Sequence, residues 1–294
     1  MRPISEMTAA QARRVRFVLM DIDDTLTRGG KLLSSSYAAL WSLKEAGLVV
    51  VPVTGRPAGW CDLIAREWPV DGVVGENGAL AFWEEAAPAG AGSGGRAAAD
   101  GRARLPALKQ RFHPAAVRND HPALERIRGR ALAEVPGLRV AKDQFARLFD
   151  LALDFAEEDP VLSLSDALRV KAIAEEEGAV AKVSSIHVNV WMGAYDKLSM
   201  AESFLAARFG WDAATGLDQV VFAGDSPNDE PMFARFPLAC AVANIRRYEG
   251  LVKSLPAFVA ERECGEGFAE IAATLLERGA GLRRASPLTS TSAS

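Results

Sequence analysis

The stretch RFVLMDIDDTLT, residues 16–27, decides the fold of this 294-residue chain. Residues 17–20 have the length and apolar composition of a buried parallel strand, and Asp21, Asp23 and Asp24 follow at once. Because α/β sheets bind ligands beyond the carboxyl ends of such strands, these acids occupy the expected position of a site. Clustered carboxylates repel one another unless a cation is bound, which favours a hard divalent ion such as Mg²⁺. A solvated acidic turn is the alternative.

The residues that follow predict a parallel sheet. Serines 34–36 offer an N-cap to an amphipathic helix that Gly47 ends, and the buried strand 48–53 comes next. Strand, helix and strand in this order are typical of a βαβ unit. A helix over 57–67 and a third short strand at 72–75 continue the alternation.

Residues 86–190 have a different character. The Gly/Ala-rich stretch 88–101 lacks periodicity and predicts a flexible loop. Helices are predicted at 121–134 and 163–177, and strands at 138–142, 147–155 and 179–191. In the last strand Ile186, Val188 and Val190 alternate with Ser185, His187, Asn189 and Trp191. We therefore expect a small sheet with helices on its apolar face and a polar face opposite.

The alternation of buried strands and helices that precedes residue 86 returns after residue 191. A helix at about 196–209 precedes the buried strand 219–223, which ends in the acidic stretch GDSPND at 224–229. Strands near 239–242 and 258–259 and a helix at about 267–277 complete an interrupted α/β domain. A disordered tail is predicted over 279–294.

Composition limits the partners. The chain has 34 Lys and Arg against 38 Asp and Glu, a net charge of −4, without a basic block, which argues against nucleic acid and anionic membranes. Three widely spaced cysteines suit reduced thiols, and no signal-peptide core or membrane-length apolar run is present. We expect a cytoplasmic protein, monomeric or a small homo-oligomer, that acts on a small molecule.

Four segments place polar residues where strands end or helices begin, and in a parallel sheet these ends converge on one edge. The residues are Asp21 and Asp23, Thr54, Lys197, and Asp225, Asn228 and Asp229. Phosphoryl transfer needs such a set: a nucleophile, an acid for the leaving oxygen, a divalent cation, and donors for the phosphoryl oxygens.

The same segments resemble the four motifs of the haloacid dehalogenase-like hydrolase superfamily, in order. DIDDT at 21–25 matches the nucleophile motif, Thr54 in VTGRP the second, Lys197 the third, and GDSPND the acidic fourth. The resemblance implies an α/β fold with a Rossmann-like core at 1–85 and 191–278 and an inserted α+β cap of the C2 type at 86–190. It looks like subclass IIB, which includes Cof-like phosphatases and phosphatases of trehalose-, sucrose- and mannosylglycerate-phosphates.

The resemblance also implies roles. Asp21 is the nucleophile, and Asp23 protonates the leaving alcohol and then activates water. Asp21, Asp225 and the backbone carbonyl of Asp23 hold Mg²⁺, with Asn228 and Asp229 at or just behind them. Thr54 and Lys197 bind the phosphoryl oxygens.

Each residue also has a structural alternative. Thr54 could cap the helix that follows, Lys197 could be a solvated first-turn residue, and Asp229 could begin a helix. Asp24 is interpreted as a turn residue rather than a ligand.

In C2-capped relatives the cap sheet lies over the active site, so its polar face is expected to contact the leaving group. The candidate substrate contacts, besides Thr54 and Lys197, are Gly55, Arg56, Glu76, Asn77, Lys182, His187 and Asn189. A structural histidine in an ordinary cap core is the alternative for His187.

The main hypothesis is a Mg²⁺-dependent phosphomonoesterase acting on a sugar phosphate or a similar small phosphate. A phosphomutase or phosphotransferase of the same superfamily is the second enzymatic hypothesis. A catalytically silent protein that binds a phosphorylated metabolite is the third, and the intact set of Asp21, Asp23, Lys197 and Asp225 argues against it.

Overall fold

The structure, a computed structural model, describes residues 1–85, 106–184 and 186–279. The flexible loop predicted at 88–101 and the tail predicted beyond residue 279 lie outside the described residues, as does Ser185.

The described residues form 15 strands and eight α-helices. The strands are β1 (Arg2–Pro3), β2 (Phe17–Met20), β3 (Thr27–Arg28), β4 (Lys31–Leu32), β5 (Val49–Pro52), β6 (Val73–Gly75), β7 (Leu80–Glu85), β8 (Ala107–Phe112), β9 (Arg139–Val140), β10 (Asp150–Asp154), β11 (Val180–Val183), β12 (His187–Trp191), β13 (Val220–Gly224), β14 (Cys240–Ala241) and β15 (Phe258–Val259). The helices are α1 (Ala9–Arg14), α2 (Ser34–Glu45), α3 (Ala58–Glu67), α4 (Pro122–Glu134), α5 (Leu164–Glu176), α6 (Lys197–Phe209), α7 (Glu230–Arg235) and α8 (Cys264–Gly279).

A six-stranded parallel sheet forms the core, in the order β1-β15-β14-β13-β2-β5. All four residues of β2 are buried, because helices cover both faces of the sheet. Val18 and Met20 pack with α2, α3 and α8, whereas Phe17 and Leu19 pack with α6 and α7. This two-sided burial is the physical reason that β2 reads as a continuous apolar run rather than an alternating one.

The chain changes direction across the sheet at β2. From β2 it proceeds outward to β5, and β6 continues this row through a parallel bridge between Val53 and Val74. After the inserted segment it returns to β13, on the other side of β2, and proceeds outward through β14 and β15. Residues that follow β2 and β13 therefore meet at the switch point where α/β proteins bind ligands.

The segment between the two halves of the core contains a four-stranded antiparallel sheet in the order β11-β12-β10-β9. Helices α4 and α5 cover one face, where Leu153 and Val188 meet Ile127 and Ile173 in a separate hydrophobic cluster. The predicted two-faced sheet is thus observed. We call this unit the cap.

Two local predictions were wrong. The single strand expected at 179–191 is a hairpin of β11 and β12, in which the Ser184 backbone amide donates to the carbonyl of His187. The serines at 34–36 do not cap α2, because the helix already begins at Ser34 and the hydroxyl of Ser36 donates to the carbonyl of Leu26 at 2.6 Å.

Within the described ranges, no helix combines the length and the hydropathy needed to cross a membrane.

Candidate active site

Lys197 and Asp21 form a buried ion pair at the carboxyl edge of the central sheet. Asp21 follows β2, and Lys197 is the first residue of α6, whose N-cap residue Asp196 accepts the Ser199 amide. The Nζ of Lys197 donates to Oδ1 of Asp21 at 2.7 Å and lies 3.5 Å from Oδ1 of Asp229. Asp21 is 4% exposed and Lys197 is 8% exposed. The ammonium is therefore held between two carboxylates and away from bulk water.

Asp225 and Asp229 reach the same point from β13. The register of β13 and β2 sets Ala223 opposite Met20, so the residues that follow the two strands are neighbours. Asp229 accepts the backbone amide of Asp225 at 3.0 Å, and the hydroxyl of Thr25 donates to Asp225 at 3.2 Å. The nucleophile motif and the acidic motif are thus joined directly.

Three carboxylates are placed to share one cation. One oxygen from each of Asp21, Asp225 and Asp229 lies within 4.8 Å of the other two, and all three residues are buried. Hard oxygen donors and a net negative charge are what Mg²⁺ selects, so the donor set fits this ion. Asn228 lines the cavity that contains Asp21 and Asp225, and its side-chain oxygen accepts the hydroxyl of Ser226 at 2.8 Å.

The charges of this cluster are unbalanced, because one ammonium faces three carboxylates. Burial raises the pKa of Asp21 to about 7, with Lys197 opposing and Asp229 contributing to the rise. Burial, then the charges of Asp229 and Asp21, raise the pKa of Asp225 well above its usual value. Burial acts to lower the Lys197 pKa, but Asp21 and Asp229 outweigh it and raise that pKa. A bound divalent cation would offset the excess negative charge.

Asp23 contacts Arg56 rather than the acidic cluster. The Nε and Nη2 atoms of Arg56 donate to the two carboxylate oxygens of Asp23 at 2.7–3.1 Å. The Nη1 atom lies 3.5 Å from Glu157 and 3.9 Å from Asp143, both in the cap, and the guanidinium stacks 4.3 Å from the centre of the Trp60 ring. Arg56 therefore connects the expected acid–base residue to the cap.

Thr54 and Gly55 follow β5, and of the two only Gly55 lines the cavity that contains Asp21, because Thr54 is fully buried. The Thr54 hydroxyl accepts the Arg56 amide at 3.0 Å instead of capping α3, and its carbonyl accepts the Asn77 amide at 3.1 Å. A Cβ atom on Gly55 would lie 3.0 Å from the side chains of Asn77 and Asn189. A glycine here lets the cap approach the core closely.

Glu76 does not line the cavity, which corrects its prediction as a substrate contact. Its buried carboxylate accepts the backbone amides of Ala58, Leu148, Phe149 and Asp150 at 2.7–3.2 Å. Because four donors from α3 and from the entry to β10 use both oxygens, none remains for a ligand. Burial, reinforced by the charge of Asp150, raises the pKa of Glu76 to about 7.

The polar face of the cap sheet contributes His187 and Asn189 to the cavity that contains Asp21. The Nε2 atom of His187 lies 2.8 Å from Glu157, and Asn189 is 5% exposed. Lys182 is exposed and lines a neighbouring cavity instead. The cap therefore meets the core through two of its three predicted polar residues.

Arg147 is a lining residue that the sequence did not reveal. Its guanidinium donates to Asp150 at 2.9 Å, to Asp143 at 3.1 Å and to the carbonyl of Gly55 at 3.0 Å. Asn77 donates to the same Asp150 carboxylate at 3.1 Å. No sequence motif marks Arg147, and only the fold brings Gly55 to it.

Comparisons with known proteins agree with this geometry. Residues 18–87 match the family described as haloacid dehalogenase-like hydrolase. No curated protein matches the sequence significantly. Among solved structures, a Thermoplasma acidophilum protein aligns with a TM-score of 0.65 and 19% identity over 89% of this chain and 98% of its own. A subclass IIB sugar phosphatase aligns with a TM-score of 0.57 and 14% identity over 87% and 97%. The sucrose-phosphatase from Synechocystis, in complex with sucrose and phosphate, gives 0.55 and 14% over 90% and 98%.

Residues 18–87, which contain the first two motifs, match the haloacid dehalogenase-like hydrolase family, and the fold of the described residues is that of the solved structures named above, a Rossmann-like core with an inserted cap. The family and fold predicted from the sequence are confirmed.

Proposed function

We propose that this chain is a Mg²⁺-dependent phosphomonoesterase that hydrolyses a small organic phosphate, with sugar phosphates as the favoured class, in the cytoplasm. One observation carries the proposal: the ion pair of Lys197 and Asp21 opens into the same cavity as Asp23 and Asp225. A nucleophile, an acid–base residue, a cation and a metal site within one cavity supply what phosphoryl transfer requires.

In the first step an oxygen of Asp21 attacks phosphorus, and the bond between phosphorus and the leaving oxygen breaks. Asp23 gives its proton to that oxygen, so an alcohol departs and an aspartyl phosphate remains on Asp21. Lys197, 2.7 Å from the nucleophile, stabilises the negative charge that gathers on the phosphoryl oxygens. Thr54, at the end of β5, is the further donor that we assign to those oxygens.

In the second step the Asp23 carboxylate removes a proton from water, whose oxygen attacks phosphorus. The bond between Asp21 and phosphorus breaks, phosphate leaves, and both aspartates return to their starting forms. This step needs Asp23 as a carboxylate, and both of its oxygens accept hydrogen bonds from Arg56 in the structure. Donation of a proton in the first step needs release from Arg56, so these contacts must change during the cycle.

Mg²⁺ would be held by Asp21 and Asp225, with Asp229 and Asn228 beside or behind them and the backbone carbonyl of Asp23 as a further ligand. When bound, the ion offsets the charge of the carboxylates and of the phosphoryl group.

The sugar-phosphate class is supported by the walls of the cavity. Asn77, Ser184, His187 and Asn189 line it with hydrogen-bonding groups, which suit a leaving group rich in hydroxyls. The neighbouring folds whose names mention a sugar phosphatase and a sucrose-phosphatase motivate the same class.

Hydrolysis of p-nitrophenyl phosphate tests the reaction. We expect Mg²⁺-dependent release of phosphate that EDTA abolishes reversibly, and loss of more than about 1,000-fold in Asp21→Asn because no second nucleophile replaces the carboxylate. Asp24→Asn, in the turn beside the site and with a positive φ that suits asparagine, is the matched control. Full activity in Asp21→Asn would exclude the mechanism.

The same assay separates the alternatives. Transfer of the phosphoryl group to an added alcohol, in preference to water, indicates a phosphotransferase or phosphomutase. Binding of phosphorylated sugars without turnover of any phosphate indicates a silent binding protein.

A further inference from the structure

The position of Asp23 shows where the leaving group lies. Two cavities adjoin the acidic cluster and share Asn77, Lys197 and Asn228 as a common wall. Asp23 lines only the cavity that contains His187 and Asn189, whereas Lys182 lines the other. Because the leaving oxygen must reach Asp23, the leaving group occupies the side of His187 and Asn189, which we call the leaving-group side.

On that side Asn189 carries an orphaned acceptor. Its side-chain oxygen is buried and has no hydrogen-bond partner, although the residue lines the catalytic cavity and is only 5% exposed. A buried amide oxygen without a donor destabilises the folded protein, because it loses its hydrogen bond to water without replacement. A ligand that supplies an O–H at this point would remove the destabilisation.

The cations on the leaving-group side are already opposed by carboxylates. Arg56 faces Asp23 and Glu157, and the Arg147 guanidinium donates to Asp143 as well as Asp150. The hydrogen bond from His187, with further help from the Arg56 charge against the opposing effect of burial, lowers the pKa of Glu157 to about 2. Glu157 is therefore ionised at neutral pH.

The charges on this side sum to zero or less. Four carboxyl groups stand against two guanidinium groups and one imidazole, and each guanidinium has an opposing carboxylate. Of these carboxyl groups only Asp23 lines the cavity, and the other three pair with its guanidinium and imidazole groups. A second anionic group on the substrate would therefore find no guanidinium that lacks an opposing carboxylate.

We propose that the enzyme selects phosphates of uncharged, polyhydroxylated leaving groups, that one hydroxyl of the leaving group donates to Asn189, and that phosphates with a second anionic group are rejected. This inference rests on the proposed function and narrows it. Neutral sugar and polyol phosphates are included, whereas bisphosphates and phosphates of carboxylate-bearing sugars, the mannosylglycerate type among them, are excluded.

Matched substrate pairs test the selection on the wild-type enzyme. Glucose 6-phosphate is compared with 6-phosphogluconate, fructose 6-phosphate with fructose 1,6-bisphosphate, and glycerol 3-phosphate with 3-phosphoglycerate. We expect kcat/KM to be at least about 10-fold higher for the member of each pair whose leaving group is uncharged. A 10-fold ratio corresponds to a difference of about 1.4 kcal/mol. Equal rates, or a preference for the anionic members, would overturn the inference.

Variants of Asn189 test the hydroxyl contact. Asn189→Leu is expected to lower kcat/KM for the best neutral substrate about 10- to 100-fold, and by a smaller factor for p-nitrophenyl phosphate, whose leaving group has no hydroxyl to donate. Asn189→Asp keeps the acceptor and is expected to retain more of the neutral activity than Asn189→Leu. An equal loss for both substrates in Asn189→Leu contradicts the contact.

Lys182→Ala tests whether an anionic leaving group binds in the neighbouring cavity, which Lys182 lines. If the wild type hydrolyses anionic members well and this variant loses that ability, the leaving group extends into the neighbouring cavity and the inference is wrong. Failure of the wild type on p-nitrophenyl phosphate and on every sugar phosphate would instead remove the proposed function itself.

Discussion

The guanidinium of Arg56 lies between the carboxylate of Asp23, at 2.7 Å, and that of Glu157, at 3.5 Å. Asp23 follows β2 of the core, and Glu157 follows β10 of the cap. One core side chain thus contacts both the proposed acid–base residue and the unit that covers it. Any movement of the cap relative to the core changes the surroundings of Asp23.

Replacing Arg56 by lysine tests this link. A lysine ammonium cannot make the two-pronged contact of a guanidinium, so we expect kcat on p-nitrophenyl phosphate to fall about 10- to 100-fold, with a smaller change in KM. Arg66→Lys, on the exposed side of α3, is the matched control. Wild-type kcat in Arg56→Lys would show that Asp23 does not depend on the contact.

The acidic cluster predicts opposite effects of one substitution with and without metal. Asp225→Asn is expected to raise the melting temperature in EDTA, because it removes a buried charge that Asp229 and Asp21 repel. Mg²⁺ at 100 times its Kd is expected to stabilise the wild type by about 2.7 kcal/mol and the variant far less. Calorimetry with and without Mg²⁺ measures both, and Asp218→Asn, at an exposed pair with Arg14, is the control. A variant that still gains the full Mg²⁺ stabilisation would contradict the ligand assignment.

Glu76 predicts a pH dependence of stability in the metal-free protein. Its folded pKa of about 7 exceeds its ordinary value of 4.5, so the folded state binds the proton more tightly than the unfolded state. The free energy of unfolding should therefore fall, by a few kcal/mol at most, as the pH rises from about 4.5 to 7. Guanidinium unfolding across this range should show a flatter profile for Glu76→Gln.

Glu76→Gln should also be less stable than the wild type at pH 4.5, because an amide NH₂ cannot accept backbone N–H groups. Glu67→Gln, an exposed change at the end of α3, is the matched control. If the free energy of unfolding of Glu76→Gln falls with pH as steeply as that of the wild type, groups other than Glu76 cause the pH dependence.

Arg147 predicts a large loss of stability on removal. Arg147→Met leaves the buried carboxylate of Asp150 without its opposing charge, which typically costs about 3–5 kcal/mol. Adding Asp150→Asn should recover part of that loss, and urea unfolding of the four members of the cycle measures the coupling. Arg126→Met removes an exposed ion pair with Glu177 and is expected to cost at most about 1 kcal/mol. Equal losses in the two single Arg variants would contradict the buried role.

The sequence was most informative where one segment contained its own signal. β2 and β13 are buried on both faces, so each reads as a short apolar run, and the acids that follow have no place in such a run. Parallel strands end on the same edge of a sheet, and this rule predicts that Asp21 and Asp225 lie close together. The boundaries of α3, α4, α5 and α6 were predicted to within a residue or two for the same local reason.

What the sequence could not show depends on partners far away in the chain. β1 has two exposed residues and exists because it pairs with β15. Arg147 carries no motif, and its role follows from the approach of Gly55, 92 residues away. Glu76 stands beside the polar residue Asn77, and nothing local distinguishes an acid that binds substrate from one that collects backbone amides.

The carboxylate of Glu76 has a consequence for engineering. It accepts one amide at the start of α3 and three where the chain enters β10, so two parts of the polypeptide share a single acceptor. A chimera that receives its cap from a relative must reproduce those three amides at the graft junction, or the acid is left buried with three of its four donors missing. If the grafted segment starts only after β10 has begun, the chimera keeps these amides, and it also keeps the hydrogen bond from Arg147 to the carbonyl of Gly55.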